Sequence, residues 1–501
     1  MPTNTKRERE TLLTRRRILQ GAGFVVAASA LPRGIVNAAA QGALDTSAPA
    51  VSPVMATLST YMSKAHVREL PAEAVEQTKL HVLDTFAAMV SGAELPPGRV
   101  ALGFARAYSE KIATIAGSKL LCGPIEAAFV NAMLAHSDET DDSHAPSQSH
   151  PGCAIVPAAL AVSEQFGLDG MRFMRAVALG YDVGTRVTMT VGAPGFQTET
   201  HISTHAVASL FGSAAAAACA ATLNVQQMRW VLDYASQQAS GLKAWQRDTD
   251  HIEKAFVFAG GGARGGVMAV ELVHGGATGV DDILSGPDNF LAVYGPHADP
   301  ARLVEKLGER YEVTRTNIKK WTVGSPIKAP LDALEVVLKR RPFGADDVQA
   351  VTVRVATSEA ALVNNREMPD ICMQHMVAVM LVDKTASFRA AHDKPRMQDP
   401  TILRQRAKVR LIPDQDLEAR LPRREAIVEV TLGDGTRLTE HVEAVRGTVE
   451  NPMPRAEVVA KCRDLLAPVL GEATGAKLVE RVLALESVKD IRTLRPLLQP
   501  A

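Results

Sequence analysis

The sequence predicts a mainly α-helical protein with an α+β part. From about Val51 to Val293, apolar residues recur at three- and four-residue spacing, which is typical of amphipathic helices. After about residue 300 the pattern changes to period-two alternation with turn residues, and helical spacing resumes near residue 452. We therefore expect a large helical domain, a smaller α+β domain, and C-terminal helices that pack back on the helical domain. The expected segments are a leader at 1–40 and domains at 50–300, 301–447 and 448–501.

The helices of the first domain carry clear start and stop signals. Segment 71–92 begins with proline, has apolar residues at helical spacing and ends with glycine. The run GSAAAAACAA at 212–221 has almost no side-chain bulk, so its neighbours must approach closely and a central position in the helical bundle is expected. Further helices are predicted at 153–166, 170–187, 206–223 and 226–241.

The second domain is predicted to contain a small sheet. VQAVTVRVAT at 348–357 alternates with period two, and the sequence at 425–442 contains two strands around the turn residues Asp434-Gly435. KVRLIPD at 408–414 is a further candidate strand. Helical spacing then returns at 452–471 and continues through 476–486.

Composition excludes several classes of protein. Apolar residues make up 46% and charged residues 22% of the chain, which is the balance of an ordinary globular protein and excludes general disorder. The formal net charge is zero and there is no basic stripe, so no nucleic-acid partner is expected. The cysteines show no CxxC pair or zinc spacing, so we expect buried free thiols and no disulfide framework. They are Cys122, Cys153, Cys219, Cys372 and Cys462.

The first 40 residues have the pattern of a signal peptide. Three consecutive arginines, Arg15 to Arg17, precede the short apolar run GAGFVVAASAL, and small residues follow at 38–40. The paired arginines indicate twin-arginine export, so a periplasmic or secreted protein is expected. Because the apolar run is too short to span a bilayer, no membrane anchor is expected after the leader is removed.

The most informative stretch is NAMLAHSDETDDSHAPSQSHP at 131–151. Carboxylates are rarely buried without partners, so a cluster of them between two apolar helical segments needs an explanation. A solvated loop, a metal site and the acid–base groups of an enzyme are the three interpretations. The charged and titratable residues of the stretch are Asp138, Glu139, Asp141, Asp142, His136, His144 and His150.

Other segments carry groups that bind or react. THISTH places His201 and His205 four residues apart, which on a helix suits a metal, but no third ligand stands at diagnostic spacing. The segment 251–266 combines Lys254 with a Gly-rich bend that lacks the spacing of a phosphate cradle. Close helix packing, with Lys254 directed into a cleft, is the preferred interpretation. Lys319 lies in a second basic segment, NIKKWTVGSP.

In their order along the chain, these segments resemble the MmgE/PrpD family. The resemblance rests on LHVLDTFAAMVSG, NAMLAHSDETDDSH followed by HPG, FGSAAAAACAATL, EKAFVFAGGGARGG, IKKW, MQHMVAVMLVD and VENPM, and spans about residues 50–485. The family includes 2-methylcitrate dehydratase, cis-aconitate decarboxylase and related isomerases. The resemblance implies a helical domain with an α+β lid domain, a homodimer, and chemistry next to carboxylates without a cofactor or metal.

The resemblance also implies the site residues. The acid–base loop would contain Glu139, Asp141, Asp142, Ser143 and His150. His205, or alternatively His201, would stand for the family histidine, and Lys254 and Lys319 would bind carboxylates. His375 falls where cis-aconitate decarboxylases have a tyrosine. Other departures from the family pattern are Glu139 in place of aspartate, Ser143 in place of threonine, Ser203 at the aligned histidine position, and one extra residue between Ser143 and His150.

The leading hypothesis is therefore a cofactor-free lyase or isomerase that acts on a small di- or tricarboxylate by proton transfer next to a carboxylate. Dehydration is the leading reaction, with decarboxylation and isomerisation as alternatives. An exported carboxylate-binding protein without turnover is a second hypothesis, motivated by the departures. A metal-dependent hydrolase that uses the acidic cluster and THISTH is a third.

Overall fold

The computed structural model describes residues 51–193, 195–295 and 297–501. Helices dominate these residues and the strands form two small sheets, so the predicted fold class is confirmed. The predicted signal peptide at 1–40, and with it the expectation of export, lies outside the described residues.

The helices of the first part agree closely with the sequence signals. Their bounds are α1 (Pro53–Lys64), α2 (Ala72–Gly92), α3 (Pro96–Ala105), α4 (Pro124–Ala135), α5 (Gly152–Phe166), α6 (Gly170–Thr190), α7 (Gly195–Thr200), α8 (Thr204–Ala220), α9 (Val225–Gln238), α10 (Ile252–Ala255), α11 (Gly261–His274), α12 (Phe290–Tyr294) and α13 (Ala301–Val304). One stretch of π-helix, Phe256–Gly260, joins α10 to α11.

Helix α8 is central, as its small residues predicted. Every residue from Ala206 to Ala220 is buried. A Cβ added to Gly184 of α6 would lie 2.4 Å from the carbonyl oxygen of Ala208, so the two helices touch backbone to backbone. The glycines at 260–266 continue the helix instead of forming the predicted bend, which is therefore wrong. Their lack of side chains serves close packing, because a Cβ at Gly266 would lie 2.5 Å from the backbone nitrogen of Ala214.

A small hairpin interrupts the helical part and was not predicted. Strands β1 (Ser109–Thr114) and β2 (Leu121–Cys122) pair antiparallel. The end of β1 is held by long-range contacts, since the Thr114 N–H and hydroxyl both donate to the Glu164 carboxylate, each at 2.6 Å. Four of the six β1 residues are exposed, so the strand lacks the alternating pattern that a sequence window detects.

The second part is built on a four-stranded sheet, as predicted. The strands β3 (Val348–Ala356), β4 (Val409–Asp414), β5 (Ala426–Leu432) and β6 (Arg437–Val442) lie in the order β4-β3-β5-β6. β3 pairs parallel with β4 and antiparallel with β5, which forms the hairpin with β6. The accompanying helices are α14 (Ser325–Arg340), α15 (Thr357–Val363), α16 (Met373–Asp383), α17 (Phe388–His392), α18 (Pro400–Arg406) and α19 (Gln415–Glu418).

Two large apolar cores lie in the described chain. One is formed by the helices up to residue 304 together with C-terminal residues, and the other by α14, α16 and the four-stranded sheet. The C-terminal helices are α20 (Arg455–Leu470), α21 (Glu472–Leu483) and α22 (Arg495–Leu498). Helix α20 packs against α2, where the Lys461 ammonium donates to Asp84 at 2.5 Å.

Two further findings concern the interior. Among the described residues, the helical stretch Ile252–His274 is long and apolar enough to cross a membrane, but 67% of its apolar window is buried inside the protein, as in a core helix. The cysteines are all buried with free thiols.

Candidate active site

The acidic loop, residues 136–151, connects α4 to α5 and is mostly buried, with Ala145 and Pro146 exposed. The exposed fraction is 5% for Asp138, 7% for Glu139, 0% for Asp141 and 1% for Asp142. A solvated loop would expose its carboxylates, so that interpretation is wrong. Each of these charges must instead be compensated inside the protein.

Asp142 anchors the loop to the helical core. Its carboxylate accepts a hydrogen bond from the Tyr181 hydroxyl and lies 2.9 Å from His81 Nδ1. Its other oxygen accepts from the backbone N–H of Gly152 at 2.9 Å, at the N-terminus of α5. A Cβ on Gly152 would lie 2.6 Å from the Tyr181 hydroxyl oxygen, so only glycine allows this approach. Asp142 therefore positions the loop.

Asp141 lies between two histidines and a lysine. One carboxylate oxygen is 2.9 Å from His136 Nδ1, and the other is 3.1 Å from His150 Nδ1. The Lys319 ammonium lies 3.4 Å from Asp141 Oδ1 and 3.4 Å from His150 Nδ1. Because Asp141 is fully buried, it fixes the orientation of both imidazole rings.

Glu139 is shared by two lysines. The Lys254 ammonium donates to Glu139 Oε1, and the Lys319 ammonium lies 3.7 Å from Oε2. Lys319 also donates to the Glu139 carbonyl oxygen at 3.0 Å. Lys254 comes from α10, whereas Lys319 precedes α14. The structure thus brings the two lysines of the sequence analysis together on one carboxylate.

The environment sets the protonation states of these groups. Burial alone would raise the pKa of Glu139, but Lys254 and Lys319 hold it well below its usual range. Burial would also raise the pKa of Asp141, but its histidine and lysine partners hold it well below the usual range. Burial and the charge of Lys319 lower the pKa of His150 to about 4, although Asp141 opposes this. At neutral pH the site therefore has charged carboxylates and a neutral His150.

Aromatic rings form one wall of the site. The Phe258 ring stacks on His205 at 3.7 Å and on His136 at 4.6 Å between centroids, and Trp245 meets it edge-on at 4.7 Å. Phe258 lies in the π-helix Phe256–Gly260, and such segments often occur at functional sites because they re-aim side chains. The Lys254 ammonium lies 5.1 Å from the Phe258 centroid. Lys254 therefore faces both Glu139 and this wall.

Asp141 and two neighbouring side chains are close enough together to bind one cation. Side-chain donor atoms of His136, Asp141 and Cys153 are within 4.8 Å of one another. Burial, with Asp141 and Asp142 adding to it, raises the pKa of the Cys153 thiol well above its usual range, which disfavours the thiolate that a metal requires. Lys319 already neutralises Asp141. The donor chemistry therefore favours Asp141 as a partner of cationic side chains and not as a metal ligand.

Comparison with known proteins identifies the family. The model of the MmgE/PrpD N-terminal domain matches residues 56–303, and that of the MmgE/PrpD C-terminal domain matches residues 321–486. The chain belongs to the MmgE/PrpD family. The resemblance seen in the sequence is thereby confirmed.

Relatives of this MmgE/PrpD protein include three that are named for decarboxylation. The cis-aconitate decarboxylase of Homo sapiens is 24% identical over 475 residues, which cover 88% of this chain and 94% of that protein. The cis-aconitate decarboxylase of Mus musculus is 25% identical over 397 residues, which cover 75% of this chain and 78% of that protein. A cis-aconitate decarboxylase-like protein of Aspergillus oryzae is 24% identical over 341 residues, which cover 63% of this chain and 69% of that protein. Family and relatives support a lyase-type enzyme of the dehydratase or decarboxylase kind.

The two THISTH histidines of this MmgE/PrpD chain do not share a helix face. α7 ends at Thr200 and α8 begins at Thr204, and His201 lies between them, exposed, with a φ of 60°. His205 in α8 lies 5.2 Å from His150 between ring centroids, and its Nδ1 is buried without a partner among the described residues. Burial lowers the pKa of His205 well below its usual range. Of these two histidines, only His205 lies against His150 of the acidic loop.

Ser143 contributes to the site through its backbone, and His375 forms no hydrogen bond with the acidic loop. The backbone of Ser143 pairs with Asn317 through two hydrogen bonds of 3.0 and 2.8 Å, which ties the loop to the segment that carries Lys319. His375 is fully buried in α16, and neither ring nitrogen has a partner among the described residues. Burial, with the charges of Arg406 and Arg396, lowers the pKa of His375 to about 4. The groups acting on His375 are thus not those of the acidic loop.

Other charged residues contact the loop without any signal in the sequence. His392 Nε2 lies 3.1 Å from Asp138 Oδ2. Burial would lower the pKa of His392, but Asp138 raises it to about 9. Burial raises the pKa of the neighbouring Asp370 to about 6, although the charge of His392 opposes this. Lys461 donates to the Thr140 carbonyl oxygen at 2.9 Å. These residues stand in ordinary helical or loop contexts, so only the fold reveals them.

Proposed function

We propose that this protein is a lyase that moves a proton next to a carboxylate of a small di- or tricarboxylate, with its own side chains as the only catalytic groups. Dehydration of a hydroxy acid is the leading reaction. The observation that carries the proposal is a neutral histidine, His150, aligned by Asp141 beside the ammonium groups of Lys319 and Lys254.

His150 is the proposed base. A carboxylate only accepts hydrogen bonds, so the Nδ1 atom 3.1 Å from Asp141 carries the proton of the neutral ring. Lys319, although 3.4 Å from the same nitrogen, then donates to Asp141 and to the Glu139 carbonyl oxygen instead. The lone pair then belongs to Nε2, and the His150 side chain is 11% exposed while that of His136 is fully buried. A neutral imidazole at the open side of the cluster is ready to accept a proton at neutral pH.

The two lysines are the proposed carboxylate site. Glu139 already engages both, so a substrate carboxylate would share or take over ammonium groups placed for this charge. When His150 removes the proton from the adjacent carbon, the electron pair left behind spreads into that carboxylate. The added negative charge lies next to Lys254 and Lys319, which stabilise it.

Loss of water completes the dehydration. The electron pair forms the carbon–carbon double bond while the carbon–oxygen bond to the hydroxyl breaks. The protonated His150 returns its proton to the departing hydroxide. The products are an unsaturated carboxylate and water, and the histidine is neutral again.

Decarboxylation is the second candidate, and the names of the relatives favour it. In that reaction the carbon–carbon bond breaks first, carbon dioxide leaves, and the remaining carbanion needs a proton donor. With a pKa of about 4, His150 is not protonated at neutral pH, so this proton would have to come from another group, such as the ammonium of Lys254 or Lys319. Dehydration is the reaction in which neutral His150 itself acts.

Proton exchange in deuterated water tests the proposal. The compounds to be screened are hydroxy di- and tricarboxylates and cis-aconitate, with NMR as the readout. We expect at least one of them to gain deuterium next to a carboxylate and to interconvert with its dehydration partner. His150→Gln should slow both processes by about 10²–10⁴-fold, because it removes the base. His274→Gln, on the exposed end of α11, is the matched control and should retain wild-type rates.

Three other outcomes separate the alternatives. Release of carbon dioxide without deuterium exchange of the substrate would establish decarboxylation. Binding of carboxylates without any turnover would leave a binding protein. Equal rates for wild type and His150→Gln would exclude His150 as the base.

We also propose that the protein forms a homodimer through an apolar face of its helical part. Phe104, Tyr108, Phe256, Met268 and Leu272 are all exposed by 38–49%. The ring centroids of Phe104 and Tyr108 are 4.6 Å apart, and Phe104 and Phe256 both contact the ring of Phe129. Exposed apolar groups in such a patch mark an interaction surface. Light scattering should give a dimer mass for the wild type and a monomer mass for Met268→Glu, and a monomeric wild type would contradict the proposal.

A further inference from the structure

Lys328 is a buried lysine without a carboxylate partner. Four lysines of the described chain are buried: Lys79, Lys319, Lys328 and Lys461. Lys79 pairs with Glu486, Lys319 with Asp141, and Lys461 with Asp84, at 2.6, 3.4 and 2.5 Å. Lys328 is only 6% exposed, yet among the described residues it forms no ion pair. A buried amine without an anion needs an explanation, because its desolvation is not compensated.

The contacts of Lys328 direct its amine to the start of α14. Its one protein acceptor among the described residues is Ser325 Oγ at 3.3 Å, so its remaining N–H groups have none there. Ser325 is the first residue of α14, a helix of 16 residues. The N-terminus of a helix carries free N–H groups and a partial positive charge, which favour an anion. Amine, hydroxyl and helix terminus therefore converge on one place.

That place adjoins the proposed active site. The Gly324 N–H, just before α14, donates to the Asp370 carbonyl oxygen at 2.9 Å, and Asp370 neighbours the acidic loop. Burial, with the positive charges of Lys319 and Arg424, lowers the pKa of Lys328 well below its usual range. The negative charge of Glu139 opposes this shift, and the buried Glu359 carboxylate also interacts with the Lys328 charge. Lys328 thus lies in the same electrostatic cluster as Lys319 and Glu139.

We propose that Lys328 and the Ser325 hydroxyl receive a second carboxylate of the substrate, next to the carboxylate held by Lys254 and Lys319. The proposal rests on the proposed function. A second carboxylate would supply the anion that Lys328 lacks and would accept from the free N–H groups of its amine. Lys328 is then a specificity-determining residue that distinguishes polycarboxylates from monocarboxylates.

The resting state of Lys328 adds a measurable consequence. Burial and the neighbouring positive charges lower the pKa of its amine well below the usual range, whereas an adjacent carboxylate favours the ammonium form. Binding of the second carboxylate therefore favours proton uptake from solvent by the Lys328 nitrogen, with no bond to carbon formed or broken. A contact with a lysine that was already charged would take up no proton.

Calorimetric titration with unreactive probes tests the inference. Propane-1,2,3-tricarboxylate and butyrate have neither a hydroxyl to lose nor a double bond, so the titrations report binding alone. In buffers of different ionisation enthalpy at neutral pH, wild type should show net proton uptake on binding the tricarboxylate. Lys328→Met should bind the tricarboxylate about 10- to 100-fold more weakly, lose that proton uptake, and bind butyrate within about twofold of wild type.

Controls separate the possible outcomes. Lys320→Met removes a lysine of the same segment that pairs with Glu335, and should leave both probes unchanged. Lys328→Gln keeps a polar side chain of similar length and replaces the methionine variant if that does not fold. Equal weakening for both probes, or unchanged tricarboxylate binding, would overturn the role of Lys328. Failure of wild type to bind even butyrate would instead contradict the proposed carboxylate site of Lys254 and Lys319.

Discussion

Replacement of Lys319 by methionine is expected to lower turnover by at least about 10³-fold and to destabilise the protein by about 3–5 kcal/mol. The Lys319 side chain is 2% exposed and approaches Glu139, Asp141 and His150 at once. Its loss leaves two buried carboxylates with one cation fewer, and removes the charge that stabilises the developing anion. Breaking a buried ion pair from one side is among the more destabilising substitutions.

The effect of Lys319→Met on His150 gives a second readout. Lys319 lowers the pKa of His150 and Asp141 raises it, so removal of Lys319 should shift that pKa upward from about 4. The acid limb of the pH–rate profile should move to higher pH in the residual activity. Steady-state kinetics across pH and urea unfolding provide the measurements. Lys320→Met is the matched control, since Lys320 contacts Glu335 and the Trp321 ring and no residue of the acidic loop.

Two outcomes would contradict this picture. A Lys319→Met protein with near wild-type turnover would show that Lys319 does not stabilise the reaction. An unchanged acid limb, despite low activity, would show that His150 is not the group that titrates in the profile.

Acid is expected to destabilise the protein steeply between pH 6.5 and pH 4. Burial lowers the pKa of a set of histidines, to about 4 for two of them, His150 and His375. An unfolded histidine titrates near 6.5, so below that pH the unfolded chain binds protons that the folded protein excludes. The free energy of unfolding is therefore unaffected by these histidines above pH 6.5 and decreases as pH falls from 6.5 to the folded pKa. The decrease is on the order of 3 kcal/mol for each of these two residues. The other buried histidines with lowered pKa values are His144, His205 and His251.

His392 has the opposite sign. The pKa of His392 is raised to about 9 beside Asp138. Its contribution to the free energy of unfolding is therefore full below the pKa of an unfolded histidine and is lost as pH rises through 9. Stability should therefore be greatest near pH 6.5, and should decline towards both pH 4 and pH 9. Urea unfolding at a series of pH values from 4 to 10 measures both limbs.

The substitution His375→Phe measures the effect of one of these buried histidines on acid stability. His375 is enclosed in the core of the α+β part, and phenylalanine removes its two unpartnered nitrogens. We expect greater stability at neutral pH, by about 1–3 kcal/mol, and an acid loss smaller by on the order of 3 kcal/mol than in wild type. An identical loss of stability between pH 6.5 and pH 4 would show that His375 does not titrate as its burial requires.

Local patterns were sufficient for most of the fold. The apolar residue patterns of α2, α5 and α16 define them as helices, and the four-stranded sheet has alternating strands around a turn. The β1–β2 hairpin could not be predicted, because Glu164 holds it from 50 residues away. The bend expected at 260–266 is absent because the chain continues there as a helix, whereas the close helix packing expected for the same segment is present, since its glycines lie against α8.

The acidic loop could be recognised because its charged residues are contiguous in sequence, whereas Lys254 and Lys319 lie 115 and 180 residues from Glu139 and were singled out by the family resemblance. The structure places both lysines against Glu139, and His201 is separated by the break between α7 and α8. Lys328 and His392 could not be found, because their role depends on which charges the fold places beside them. A lysine at the start of a helix carries no mark that distinguishes a paired amine from an unpaired one.

The double pairing of Glu139 has a thermodynamic consequence for any ligand of this site. Glu139 is tethered beside Lys254 and Lys319, so it competes for them at the high effective concentration of an intramolecular group. The measured affinity of a carboxylate is therefore the difference between its own contacts and those that Glu139 gives up. Weak observed binding is compatible with strong individual contacts. The empty site meanwhile keeps two cations neutralised, which limits the capture of stray anions.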